Sequence, residues 1–248
     1  MADICAIVTG HSRGLGEAIA EQLLKSRHVS VMGISRKRHP GLSGTGQLVE
    51  VQLDLSDSAA LAHWLDGETM RRFLAGSRTT LLINNAGLLQ PVGPVQTQDV
   101  ATVARAVGVN VAAPLMLSAA FAQTATQASD RRILHISSAA GHKAYQGWAI
   151  YCATKAALDH HARCVALDGT PGLRIASVAP GLVDTHMQDE IRATSLEKFP
   201  ERRRFEEFKA RGDLRAPRDV AVKLVDYLLS AKFGSEPVAD LHSEAPRP

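Results

Sequence analysis

ICAIVTGHSRGLGEAIAEQLL, residues 4–24, changes its periodicity halfway along. Residues 4–8 are an unbroken apolar run, the pattern of a strand buried on both faces, and from 17 to 24 the apolar residues recur at helical spacing. Between the two, TGHSRGLG sets Gly10, Gly14 and Gly16 around Ser12, Arg13 and Leu15. Strand, glycine turn and helix in that order suit a phosphate. Glycine lets the backbone turn tightly and come close to a ligand, and a helix amino terminus attracts negative charge. The spacing is not the common GxGxxG fingerprint, since three residues separate Gly10 from Gly14 and one separates Gly14 from Gly16. Taken alone, such glycines serve a structural turn equally well; at the first strand of an α/β chain they read as cofactor-binding.

Further apolar runs at 29–34, 48–53, 81–83, 133–136 and 175–179 alternate with longer helix-compatible segments. This alternation predicts an α/β fold, a Rossmann-type doubly wound parallel sheet of about seven strands flanked by helices, with a last strand near 237–241. No Pro/Gly/Ser-rich linker divides the chain, so residues 1–248 read as a single domain.

A formal net charge of +3, spread along the chain, gives no case for nucleic acid. The basic stretch 201–209 also holds Glu206 and Glu207, the pattern of a solvated helix face. Cys5, Cys152 and Cys164 have neither metal-ligand spacing nor the even number of a disulfide framework, which suits a reducing cytoplasm. The opening apolar segment is too short for a signal peptide and runs straight into the glycine turn, so a cytoplasmic location is expected. Residues 106–129 carry no charge and are long enough to span a membrane. Asn110, Pro114, Gln123 and Gln127 within them point instead to a buried or subunit-facing helix. His135, His142, His160 and His161 make no ligand constellation, and no metal is expected.

Tyr151 and Lys155 stand four apart in YCATK, and Ser138 lies thirteen residues upstream of Tyr151. Positions i and i+4 share a helix face, so a helix over 149–168 would point both side chains into one cleft. A free phenol titrates near about 10, and a neighbouring ammonium is expected to favour its ionised form and bring it into use as an acid-base group. By itself, YxxxK also fits a surface pair on an amphipathic helix.

Taken together, TGHSRGLG, NNAG at 84–87, Asn110 in VNV, Ser138 in ISSAAG, YCATK and PGLVDT at 180–185 resemble the short-chain dehydrogenase/reductase family over most of the chain. GHSRGLGEAIA, SRKR, YQGWAIYCATKAAL and APGLVDTHMQDEIRATS are most similar to its benzil reductase and sepiapterin reductase branch, which reduces dicarbonyls with NADPH. The resemblance implies a catalytic set of Asn110, Ser138, Tyr151 and Lys155, with Tyr151 as general acid/base and Ser138 holding the substrate oxygen. Lys155 would also bond the nicotinamide ribose, and Asn110 would hold a water that returns the proton through Lys155, although an Asn in a helix kink is open too. It further implies cofactor contacts at Asp54 and Leu55 for adenine, Asn85, Ala86 and Gly87 for ribose, and Pro180, Gly181, Val183 and Thr185 for the carboxamide. Asp54 before SDSAAL fits a helix cap equally well. A homodimer or homotetramer is expected, built on the helix at 106–129 and the Tyr151 helix.

An NAD enzyme would place an acid after the second strand, whereas this chain has Ser35, Arg36, Lys37 and Arg38 there. Arg36, with Arg13 across from it in the family's layout, suits the 2′-phosphate of NADP(H) through a forked guanidinium contact. Tyr145, Trp148 and Met187 are expected to line an apolar substrate pocket, under a lid at about 184–212. Within the lid, Ile191, Leu196 and Phe199 fit core or pocket alike. The resulting expectation is an NADPH-dependent carbonyl reductase acting on a ketone or dicarbonyl. The alternatives are a redox-sensing or regulatory NADP(H) binder with little turnover, and an oxidative alcohol dehydrogenase.

Overall fold

The structure, a computed structural model, describes residues 3–42 and 48–241. Seven strands among these residues, β1 (Ile4–Thr9), β2 (Val29–Ser35), β3 (Leu48–Gln52), β4 (Thr79–Asn84), β5 (Asp130–Ile136), β6 (Leu173–Ala179) and β7 (Val238–Asp240), make one parallel sheet. Their order is β3-β2-β1-β4-β5-β6-β7, and β1 runs in register with both neighbours, Ile4 opposite Val29 on one side and Thr79 on the other. The expected last strand is therefore present; the tail from 242 onward lies outside the described residues. The helices are α1 (Gly14–Leu24), α2 (Ser58–Leu65), α3 (Thr69–Leu74), α4 (Val100–Val107), α5 (Ala113–Thr124), α6 (Ala149–Leu167), α7 (His186–Ala193), α8 (Arg202–Ala210) and α9 (Pro217–Leu229).

A strand buried on both faces needs apolar residues at every position, and β1 shows why. Ala6 and Val8 point into a layer completed by Ala18, Ile19 and Leu23 of α1 and Val220 and Leu224 of α9. Cys5 and Ile7 point into the opposite layer, with Leu61 of α2, Met70 of α3, Leu117 and Phe121 of α5 and Ala162 of α6. Burying each large side chain of this kind contributes roughly 1.5–3 kcal/mol.

The uncharged stretch becomes α4, a π-helical turn at Gly108–Ala112, and α5. Together, Val100–Thr124 is long and apolar enough to cross a membrane, but Ala113, Leu117 and Phe121 pack into the sheet layer. Pro114 explains the π turn. It has no N–H to give to Asn110, four residues back, and Ala113 N–H reaches five residues back to Gly108 O.

Gly16, in the first turn of α1, sits against the strand-end backbone: a Cβ there would collide with Gly10 O and Asn85 Nδ2. Neither group has room to retreat, because both belong to the junction of β1 and β4. Gly16→Ala should therefore destabilise the fold by about 1–3 kcal/mol, as overpacking does elsewhere. A urea denaturation midpoint equal to wild type would refute this.

Candidate active site

The sheet order reverses between β1 and β4, so a crevice opens beyond their carboxyl ends. Thr9, the last residue of β1, bridges it. Its Oγ1 accepts from Asn85 N at 2.9 Å and Ala86 N at 3.0 Å, while Asn85 Nδ2 donates back to Thr9 O at 3.0 Å. The NNAG segment is thereby tied to the strand that enters the glycine loop. Gly10 and Gly14 take φ of 69° and 61°, a left-handed conformation glycine adopts at little cost. A Cβ on Gly14 would lie 3.6 Å from Thr185 Cγ2, so the loop touches the 180–185 segment across the crevice. A Cβ on Gly87 would stand 3.6 Å from Asn110 Oδ1 and 3.7 Å from Lys155 Nζ. Motifs far apart in sequence thus line one cleft.

Other expected cofactor positions vary in what they present. Ser12 is half-buried, whereas Leu15 and Leu55 send their side chains into the core, which leaves only their backbone for a ligand. Arg13 is the exposed N-cap residue of α1, and Arg36 is exposed just past β2. Asp54 accepts from Ser56 N at 2.9 Å and Ser56 Oγ at 2.7 Å. The Ser56 backbone bond leads in holding its carboxyl below the usual range; burial opposes, and the Ser56 hydroxyl, Arg105 and Arg36 assist. The helix-cap alternative for Asp54 is corrected: Asp57 caps α2, accepting from Ala60 N at 2.9 Å. Pro180 and Val183 are buried, Gly181 is exposed, and Thr185 is the N-cap residue of α7.

Asn110 does sit in a helix kink, and its amide is fully used. Oδ1 accepts from Leu88 N at 2.7 Å; Nδ2 donates to Leu88 O at 2.8 Å and to Thr154 Oγ1 at 3.1 Å. The side chain therefore locks the segment after NNAG to α6.

Tyr151 and Lys155 lie on the inner face of α6, buried to 6% and 4% exposure. Lys155 Nζ donates to Ile136 O at 2.7 Å and lies 5.6 Å from the centre of the Tyr151 ring. The expected acidification of the phenol is not what this geometry gives. Burial pushes Tyr151 up to about 12, outweighing a hydrogen bond from Ser138 that pulls it down, with Cys152 adding slightly to the rise. Burial likewise brings Lys155 down to about 8, against the pull of Asp159. A dry cleft disfavours both charged forms, and the Lys155 ammonium gives a hydrogen bond to a strand carbonyl. Ser138 nevertheless sits at that oxygen, and its Oγ also accepts from Ala140 N at 3.2 Å.

Of the pocket candidates, Met187 reaches the phenol, its Sδ 3.8 Å from Tyr151 Oη. Trp148 is only 4% exposed and stacks on Phe199, with ring centres 4.5 Å apart, while its edge meets Tyr151 at 5.5 Å. It packs edge-on against the Tyr151 ring. Tyr145, half-buried, packs on Trp148 at 5.1 Å. Phe199 and Ile191, left open between core and pocket, are core, joined by Phe205 of α8. Leu196 is half-buried.

Two features escaped the sequence reading. His11, in the middle of the glycine loop, is fully buried and lies 2.8 Å from Glu50 Oε1 of β3. Asp159 is buried one turn beyond Lys155. The signal for Asp159 was available, since an acid at i+8 from Tyr151 falls on the face assigned to the cleft.

The family model for short chain dehydrogenases matches residues 4–196. A benzil reductase ((S)-benzoin forming) from Bacillus cereus is 34% identical over 243 residues, covering 92% of this chain and 94% of its own. A sepiapterin reductase from Bos taurus is 30% identical over 258 residues, covering 96% and 94%. Among solved structures, a short-chain dehydrogenase/reductase from Burkholderia vietnamiensis is 48% identical, with a TM-score of 0.71 over 98% of this chain and 99% of that one. The seven-stranded sheet, the glycine loop on its first strand and the buried Tyr151 and Lys155 are thus carried by a member of the short-chain dehydrogenase/reductase family, oxidoreductases that bind a nicotinamide cofactor.

Proposed function

We propose that the chain is an NADPH-dependent carbonyl reductase acting on a ketone or dicarbonyl, in the manner of the benzil and sepiapterin reductases it resembles. The observation that carries this reading is the meeting of the Tyr151 hydroxyl with Ser138 and Met187 at the mouth of a crevice that also holds Lys155, Asn110 and the glycine loop.

The residues fit the cofactor. Gly10 and Gly14 turn the loop through the left-handed region and Gly16 packs against the strand ends, which lets the amino end of α1 follow β1 directly, suited to a pyrophosphate. Arg13 and Arg36 are exposed at the same end, cations fit for a 2′-phosphate, with Asp54 beside Arg36 at the adenine end. Asn85, Ala86 and Gly87 would meet the ribose, and Pro180, Gly181, Val183 and Thr185 the carboxamide. When bound, the reduced nicotinamide supplies the hydride. Tyr151 gives its proton to the carbonyl oxygen as charge develops there, and Ser138 donates a hydrogen bond to hold that oxygen.

At neutral pH a phenol held near 12 is protonated, which is the form an acid needs and a base lacks. Helices α7 and α8 form the lid, joined to the 180–185 segment by Lys209 and Asp184 at 2.7 Å. Met187 on its inner side presents a soft apolar surface suited to compact aromatic or vicinal diketones. The exposed valines Val100 and Val107 on α4 suit a homo-oligomer, and the three free cysteines suit the cytoplasm.

Tyr151→Phe keeps the ring and removes only the proton. Turnover should fall by about 10²–10⁴-fold, with NADPH affinity, measured by cofactor fluorescence, close to wild type. Near-normal turnover would remove Tyr151 from the reaction. Arg36→Asp should raise the KM for NADPH by about tenfold or more, the scale of a lost charge-assisted contact, and shift preference toward NADH. An unchanged NADPH to NADH ratio would defeat the phosphate assignment. Absorbance at 340 nm across a carbonyl panel should show aryl diketones consumed faster than phosphorylated sugars; tight NADPH binding with no turnover on any compound would identify a binder instead.

A further inference from the structure

Asp159 is 2% exposed, and its Oδ1 accepts two hydroxyl bonds, from Ser137 Oγ at 2.6 Å and Ser177 Oγ at 2.7 Å. Two donors on one oxygen suit a carboxylate, which can only accept. Ser137 follows the last residue of β5 and directly precedes Ser138, and Ser177 lies in β6, so the acid ties the carboxyl ends of both strands to α6. The turn after Ser138 closes over it: a Cβ on Gly141 would collide with Asp159 Oδ2 and lie 3.2 Å from Ser137 Oγ. Tyr151, Lys155 and Asp159 fall at i, i+4 and i+8, all buried on one face of α6.

A buried carboxylate is often found beside a cation in contact. Asp159 instead has hydroxyls as its hydrogen-bond partners, and Lys155 one turn away is the cation it acts on. We propose that Asp159 is a positioning residue of the catalytic centre, a buried negative charge fastened by Ser137 and Ser177 that keeps the Lys155 ammonium protonated in a dry cleft. The proposal rests on reading Lys155 as part of that centre.

The groups facing Lys155 leave this task to one acid. On its own helix these are Tyr151 and Asp159. From β5 comes His135, held down to about 3 by burial, then by His161 and Lys155, and so uncharged in the working range. The π turn contributes the neutral Asn110, and the β5 end contributes Ile136 O. Burial lowers the Lys155 ammonium to about 8, with Asp159 opposing. The sign follows: the protonated form is present below that value and lost as pH rises through it, so a weaker Asp159 field moves the loss to lower pH.

Asp159→Asn keeps the shape and removes the charge. In the full chain, the basic limb of kcat/KM for NADPH-driven diketone reduction should move about one pH unit acid, with rates at pH 6 close to wild type. Lys155 Nζ, followed by NMR in labelled protein without turnover, should titrate lower by the same amount. An unmoved titration, or an equal loss of rate at every pH, would overturn the proposal. If the variant does not fold, carboxyl NMR of the wild type decides: Asp159 ionised at pH 7 supports the charge role, and Asp159 protonated there overturns it. A wild type inactive on every carbonyl would refute the reductase reading alone, since both NMR titrations still report on Asp159.

Discussion

The hydroxyl of Thr9 is the contact on which the site depends. A parallel sheet ends in splayed strand termini, and the crevice between β1 and β4 has a defined width only if something ties those ends together. One buried oxygen accepts the N–H groups of both Asn85 and Ala86, and Asn85 returns a bond to the Thr9 carbonyl. Those bonds satisfy backbone donors that no further strand pairing could reach, so the cost of leaving them unpaired in a buried place is avoided. The glycine loop departs from one side of the tie and the NNAG segment from the other, with Gly16 packed against both.

From that tie the constraint passes outward through amides and buried ions. Asn110, placed by the π turn that Pro114 imposes, clamps both backbone groups of Leu88 and reaches Thr154 on α6. Helix α6 is thus set against the ends of β4 and β5, with Tyr151 and Lys155 on the covered face. Trp148, stacked on Phe199 and touching Phe205 of α8, packs against the Tyr151 ring, so the position of the phenol depends on the packing of α8 as well as on its own helix.

The same burial that fixes these side chains sets their chemistry. Removing water disfavours the charged form of each group, so the phenol becomes a weaker acid and the lysine a weaker base. Whichever groups remain charged in such a cleft act over longer range than they would in water, and this is why a carboxylate one helical turn away matters to Lys155.

By itself the sequence determined the elements and their order. Apolar runs such as residues 4–8 and 133–136, alternating with longer helix-compatible segments, predict doubly buried strands, and Gly10, Gly14 and Gly16 marked the turn because backbone conformation is a local property. The i, i+4 spacing of Tyr151 and Lys155 was equally legible, since a helix fixes which residues share a face. Tertiary structure alone decided what each environment does. That Thr9 bridges two strands, that Asp57 rather than Asp54 caps α2, that Trp148 packs on the Tyr151 ring, and that burial raises the Tyr151 phenol against the Ser138 hydrogen bond all depend on groups distant in the chain. Hydrogen-bond partners and desolvation are properties of the packed neighbourhood, and no local pattern of residues encodes them.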